Sequence, residues 1–150
     1  MSFTHAHDFI IRGADPARVF RAFTEPQELT RWFAEDAQIE PRVGGVYRFW
    51  GRHTLGTPAH DAARQTVTQL EPNVRLSFSW PIYDVDTDVM LTLTPHEKGT
   101  RLSLEHRVSG DLKVPRATEL IDDHWRLAIG NLSTYLAGGV VTLPDYFARP

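Results

Sequence analysis

The sequence contains no cysteine. This absence excludes disulfides, thiolate zinc sites, iron–sulfur clusters and a cysteine nucleophile. Apolar runs are short as well, and none reaches the roughly 18 residues that a membrane-spanning helix needs. The first ten residues, MSFTHAHDFI, lack the basic and apolar regions of a signal peptide. We therefore expect a cytoplasmic protein without a membrane partner.

An excess of charge of one sign is also missing, because 16 basic residues face 19 acidic ones and the net charge is −3. Such a near-neutral balance gives no electrostatic reason to expect nucleic acid as a partner. The 150 residues, of which 41% are hydrophobic, are enough for one core and too few for two. We expect a single domain over residues 1–150.

Two helix-start signals follow the first predicted strand, residues 3–12. Asp15 and Pro16 are the residue types typical of an N-cap and of the first helical position. Pro26 restarts the helical pattern, and the second helix is predicted to end near Trp32 and Phe33. The pattern therefore predicts two short helices joined at a proline.

Between residues 36 and 109 the hydrophobic period changes to two, which predicts half-buried antiparallel strands linked by hairpins. The predicted strands include 46–51, 62–70, 75–80, 85–94 and 100–108. Alternation within three of them predicts an apolar face formed by Leu76, Phe78, Trp80, Val85, Thr87, Val89, Leu91, Leu93, Leu102, Leu104, His106 and Val108.

Residues 117–137 return to a helical period, with a stripe formed by Ile121, Trp125, Ala128, Leu132 and Tyr135. A sheet with one apolar face needs a cover, and this helix is the only predicted element large enough to provide it. The fold class is therefore α+β. We expect a curved antiparallel sheet of about six to seven strands wrapped around a long C-terminal helix, with a cleft between the two.

Several segments resemble a known family. They are PARVFRAFT at 16–24, LTRWF at 29–33, IEPRVGGVYRF at 39–49, LEPNVRLSFSW at 70–80 and LEH at 104–106, followed by Trp125 and Leu132. In this order and spacing the chain resembles the SRPBCC or START-like superfamily. It is most similar to the bacterial relatives of the C-terminal domain of the activator of the 90-kDa heat-shock protein ATPase. The resemblance implies the helix-grip fold, in which a sheet grips one long helix.

The cleft between sheet and helix is the expected functional site. The first hypothesis is that it binds a small apolar or aromatic ligand, which His106 would orient through a polar contact. Trp80, which precedes Pro81, is expected at the mouth of the cleft. The candidate ligand-binding residues are Trp32, Phe49, Trp80, Val89, Leu91, His106, His124 and Trp125.

Two other functions stay open. An enzyme of the cyclase or hydrolase kind would use His106 or His124 as its acid or base. A protein-interaction module related to the chaperone activators would need an exposed apolar patch. No nucleophile motif is present, so no catalytic residue is assigned. The plainer interpretation of His106 is a buried, hydrogen-bonded core histidine.

Metal and phosphate sites are not expected. His5 and His7 share one strand face, but no third ligand is evident near them. Asp84, Asp86 and Asp88 alternate as in a calcium loop, yet the glycine and glutamate that such a loop needs are absent. The Gly-Gly turn at 44–45 lacks the lysine of a P-loop. We expect a protein without a cofactor.

Two further expectations concern the surface. Residues 140–150 are mildly apolar, so this tail either packs on its own domain or covers a second subunit, and a homodimer is predicted. Arg64 and Glu105 are predicted to form a polar pair near the cleft.

Overall fold

The N-terminal third has the predicted order of one strand and two short helices. The computed structural model describes residues 3–55, 65–82, 85–112 and 116–144. Its first elements are strand β1 (Phe3–Arg12), helix α1 (Pro16–Thr24) and helix α2 (Pro26–Trp32). The Asp15 carboxylate caps α1 by accepting a 2.8 Å hydrogen bond from the backbone N–H of Arg18, as the sequence predicted.

Five strands form the main antiparallel sheet, in the order β1-β7-β6-β5-β4. Strands β2 (Asp36–Ile39) and β3 (Tyr47–Trp50) form a separate two-stranded ladder. The remaining strands are β4 (Val67–Glu71), β5 (Arg75–Ser79), β6 (Thr87–His96) and β7 (Gly99–Val108).

The predicted α+β class is confirmed, and the strands between residues 36 and 109 are divided between the two ladders. Among the described residues, the two ladders are joined by a single bridge between Val46 and Thr66 and the backbone hydrogen bonds beside it, and the main ladder ends at β4. The main sheet gains β1 instead, which pairs with β7 along its whole length. The described residues contain seven strands, which is within the predicted number.

The predicted faces of the sheet are correct. Along β6 and β7, side chains alternate between buried and exposed positions, and His106 is among the buried ones. Helix α3 (Ala117–Leu136) covers this buried face with a stripe formed by Ile121, His124, Trp125, Ala128, Ile129 and Leu132. The core of the described chain therefore lies between the sheet and α3, with α1 and α2 closing one side.

Glu28 fastens the two short helices to the C-terminal end of α3. Its carboxylate accepts hydrogen bonds from Tyr135 Oη at 2.8 Å, Arg18 Nη1 at 2.7 Å and Arg21 Nε at 3.0 Å. Partial burial raises the pKa of Glu28, but the hydrogen bonds from Tyr135 and the two arginines outweigh it, so the pKa lies below its usual value. The ion cluster thus stays charged and holds α3 in position.

Gly99 allows β7 to begin close beside the end of β1. Its φ is +147°, and a Cβ at this position would overlap the carbonyl oxygen of Ile11. Gly130, on the exposed side of α3, has an ordinary helical backbone with nothing within 4 Å of its Cβ position. The two glycines therefore differ in what an added methyl group costs.

We predict that Gly99→Ala lowers the free energy of unfolding by at least about 2 kcal/mol, because the backbone must shift to relieve the overlap. Gly130→Ala is the matched control and should raise it by about 1 kcal/mol through its better helix propensity. Urea denaturation of both variants measures the two changes. A Gly99→Ala variant as stable as the wild type would contradict the close approach of Gly99 to the carbonyl oxygen of Ile11.

Candidate functional site

Six rings meet where α3 crosses the sheet. This aromatic cluster consists of Phe33, Phe49, Trp80, His106, His124 and Trp125. Trp80 is at its centre, with ring centroids 5.0 Å from Phe49, 5.4 Å from His106 and 5.4 Å from His124. Offset and edge-to-face contacts of this kind stabilise a core beyond the area that they bury.

The six rings reach the cluster from five parts of the fold, since His124 and Trp125 are neighbours on α3. Helix α2 ends at Trp32, so Phe33 leaves the helix with φ −125° and its ring stacks on Trp125 at 5.8 Å. Phe49 comes from β3 and Trp80 from the residue after β5. The cluster therefore joins both β-ladders to helix α3 and to the end of helix α2.

A chain of hydrogen bonds runs through His106 at the floor of the cluster. Trp125 Nε1–H donates to His106 Nδ1 at 2.9 Å, and His106 Nε2 lies 2.9 Å from Thr87 Oγ1. The Thr87 hydroxyl in turn donates to the carbonyl oxygen of Trp80. The indole donor assigns the proton of the neutral imidazole to Nε2. Both ring nitrogens of His106 are thus bound to protein groups, as expected for a core histidine.

Burial keeps the two histidines of the cluster neutral. Desolvation lowers the pKa of His106 to about 3, and repulsion from the protonated forms of His124 and His5 adds to the effect. Desolvation alone lowers the pKa of His124 to about 3. Both pKa values are far below the ordinary histidine value of 6.5. Neither side chain carries a charge near neutral pH.

We predict that the protein loses stability as the pH falls below about 6.5. The unfolded chain binds protons there, whereas the folded histidines bind none until about pH 3. The stability that each histidine contributes is fully present above its pKa in the unfolded chain, 6.5, and is lost as the pH falls toward its pKa in the folded protein, about 3. It amounts to about 2 kcal/mol for each histidine between about pH 7.5 and about pH 5.

Denaturation across this pH range tests the assignment. His106→Gln should remove about half of the slope that the two histidines produce. Phe78→Leu, a buried variant without a titratable group, serves as the control for general destabilisation and should keep the full wild-type slope. A slope unchanged in His106→Gln would show that His106 is not buried in its neutral form.

A narrow crevice opens onto the aromatic cluster beside α3. The described residues that line it are Trp32, Phe33, His53, His124, Leu127, Ala128, Asn131 and Pro144. None of these is Lys, Arg, Asp or Glu. The volume of the crevice is about 10 Å³, which is about the space that one water molecule needs.

Two residues of the C-terminal segment (residues 140–144), Thr142 and Pro144, lie beside this crevice. His53 Nδ1–H donates to the carbonyl oxygen of Pro144 at 2.8 Å, and Asn131 Nδ2 lies 3.4 Å from the carbonyl oxygen of Thr142. This part of the tail therefore packs on its own chain, one of the two alternatives. Residues 145–150 lie outside the described part, and the homodimer stays a prediction.

The structure separates the predicted site residues into groups. Phe49, Trp80, His106, His124 and Trp125 share the aromatic cluster, whereas Trp32 and His124 line the crevice. Val89 and Leu91 are buried on β6. The expectation that Trp80 lies at the cleft mouth is wrong, because its side chain is 0% exposed. The role of all eight predicted site residues in binding a ligand stays a prediction.

Sequence reasoning missed several residues of this region. Phe33 was placed at a helix end and not at a site, although a helix stop directly after Trp32 can turn both rings inward. His53, Asn131 and Pro144 come together only through the tail. No local spacing in the sequence connects them.

A second group of histidines lies where β1 contacts α3. His5 Nδ1 is 2.6 Å and His7 Nε2 is 3.0 Å from the same oxygen, Oδ1 of Asp122. Partial burial raises the pKa of Asp122, but hydrogen bonds and charge from His5 and then His7 outweigh it and lower the pKa. The expectation that no third ligand stands near the histidine pair is wrong, because Asp122 contacts both histidines. The sequence did not reveal this contact, since Asp122 is more than 100 residues away along the chain.

The other polar expectations have mixed outcomes. Asp86 and Asp88 are exposed, as predicted for a solvated strand edge, and Asp84 lies outside the described residues. Glu105 accepts a hydrogen bond from Arg107 at 3.4 Å, and Arg64, its predicted partner, also lies outside the described part. None of the helices in the described ranges combines the length and apolarity of a membrane span.

The sequence model of the Activator of Hsp90 ATPase homolog 1-like protein family matches residues 13–137. The chain belongs to this family. The family has the fold predicted from the sequence motifs, and its solved members and this chain share the SRPBCC architecture. No curated protein matches the chain in sequence.

Solved structures support the same fold for this family member. A protein from Mesorhizobium loti is similar, with 25% identity and a TM-score of 0.74 over 91% of this chain and 98% of that one. An AHSA1-like protein from Rhizobium etli has 24% identity and a TM-score of 0.69 over 100% and 91% of the two chains. A protein of the dynemicin biosynthetic locus has 22% identity and a TM-score of 0.71, over 96% of this chain and 50% of that one.

Proposed function

We propose that this protein is a cytoplasmic binding protein for a small, neutral and mainly apolar ligand, which enters through the crevice and stacks against the aromatic cluster. Proteins of the SRPBCC fold family often bind hydrophobic ligands. The observation that carries the proposal is that the crevice leads to the aromatic cluster, since Phe33 and His124 belong to both.

The chemistry of the lining supports an uncharged ligand. The described lining residues carry no formal charge apart from what a histidine can bind, and burial keeps His124 neutral. A charged ligand would lose its hydration there without an ion partner, which is costly. His53 and Asn131, at the mouth, supply polar contacts for one hydrogen-bonding group of the ligand.

Binding requires the crevice to widen. Ligand sites usually have volumes of about 300–1,000 Å³, whereas this crevice has about 10 Å³. The C-terminal segment is its least firmly held wall, because the hydrogen bonds of His53 and Asn131 are the side-chain contacts described for it. Displacement of residues 140–144 enlarges the mouth without disturbing the sheet or α3.

The two alternative functions find less support in the described residues. An acid–base enzyme built on His106 needs a free ring nitrogen, and the partners of His106 occupy both. His124, the other candidate, has its pKa lowered by burial to about 3, far from the near-neutral value that suits an acid–base catalyst. The large exposed apolar side chains are Ile10, Val43, Val74, Leu127 and Val140, which stand on five separate segments. An interaction module would require side chains of this kind to form one contiguous patch.

We predict that Leu127→Glu weakens the binding of a neutral aromatic probe by at least tenfold, or about 1.4 kcal/mol, because it places a carboxylate on the crevice wall. Leu127 is 43% exposed, so the substitution should leave the fold intact. Titration of 2-naphthol, followed by tryptophan fluorescence and by chemical shifts of Trp32 and Trp125, measures the affinity.

Val43→Glu is the matched control, because Val43 is 61% exposed on the turn before β3 and away from the crevice residues. It should bind the probe as the wild type does. Native mass spectrometry of protein from its own host would then identify a retained small molecule. Equal loss of binding in both variants, or no probe binding by the wild type, would argue against the proposed site.

A further inference from the structure

We propose that His5, His7 and Asp122 bind one divalent transition-metal ion of the zinc class between strand β1 and helix α3. The site uses none of the crevice residues and is independent of the proposed function. Alternation along β1 turns His5 and His7 to the same face, and α3 brings Asp122 between them. Two imidazoles and one carboxylate are a ligand set that zinc-like ions use in open sites.

The spacing of the three ligand atoms suits one ion. They all lie within 4.8 Å of one another, with separations of 2.6 Å and 3.0 Å to Asp122 Oδ1. Ligand atoms bound at about 2.1 Å around a tetrahedral ion are about 3.4 Å apart. Shifts on the order of 1 Å, within the reach of side-chain torsions, therefore complete the geometry.

The two rings can present lone pairs to the ion. The protons that now join His5 Nδ1 and His7 Nε2 to Asp122 have to move to the other nitrogen of each ring, because a ligating nitrogen must be deprotonated. His5 Nε2 makes no hydrogen bond to the described residues and can take its proton, and bonds to the ion then replace the two hydrogen bonds to Asp122. The protein groups then supply two neutral ligands and one negative one.

The surroundings leave room for the remaining ligands of the ion. The Asp122 side chain is 36% exposed, whereas those of His5 and His7 are 5% and 12% exposed. The site is thus closed by the histidines on one side and open to solvent at the carboxylate. Water can fill the open coordination positions there. Calcium and magnesium are poor candidates, since they prefer ligand sets made of oxygen.

The test uses full-length protein without an affinity tag, freed of metal with a chelator. Calorimetric titration with Zn²⁺ should give one equivalent bound at micromolar or lower concentration. Asp122→Asn and His7→Gln should each weaken this binding by at least tenfold. Two control variants should keep the wild-type affinity. Asp123→Asn changes the exposed neighbour of Asp122 on α3, and His96→Gln changes a histidine at the end of β6, outside the site.

A second measurement does not depend on variants. Co²⁺ added to the wild-type protein should broaden the NMR signals of residues 3–8 and 119–126 and leave those around His53 and His96 sharp. Absence of binding at 100 µM metal, wild-type affinity in Asp122→Asn, or broadening centred on His53 or His96 would each overturn the proposal. Circular dichroism of each variant checks that the fold is kept.

Discussion

The hydrogen-bond chain through His106 is the interaction on which the rest of the interior depends. It connects α3 to β7 and β6 and to the end of β5 through four groups, and each buried polar atom in it has a partner. Because a half-satisfied buried network is costly, the chain favours the rotation of α3 that turns Trp125 to His106. With Trp125 turned to the sheet, residues three positions away share its side of the helix. Asp122 therefore contacts β1, and Ala128 reaches the crevice.

Much of this arrangement could be read from the sequence, because the signals were local. Alternation along β6 and β7 placed His106 on the buried face, and the Asp15-Pro16 pair marked the start of α1. The stripe on α3 identified Trp125 as a residue that faces the sheet. Periodicity reports which side of an element is buried, and in this fold that side is also the candidate site.

The rest was hidden because it arises from contacts between distant segments. Asp122 joins His5 and His7 across more than 100 residues, and no spacing rule connects a strand at one end of the chain with a helix at the other. The hydrogen bonds of His106 could not be predicted either, since alternation shows which face of the strand a residue lies on and not which groups it contacts. The narrowness of the crevice depends on how the rings pack, and side-chain packing is not encoded in hydrophobic period.

In the proposed binding mode, the contact between His53 and Pro144 would couple the tail of the chain to ligand binding in the crevice. Residues 140–144 and the ligand would compete for overlapping space, and each would weaken the binding of the other by the same factor. The measured affinity is then the intrinsic affinity multiplied by the fraction of molecules whose tail is displaced. Substitutions in the tail can thus tune affinity over a wide range without altering any ring that the ligand touches.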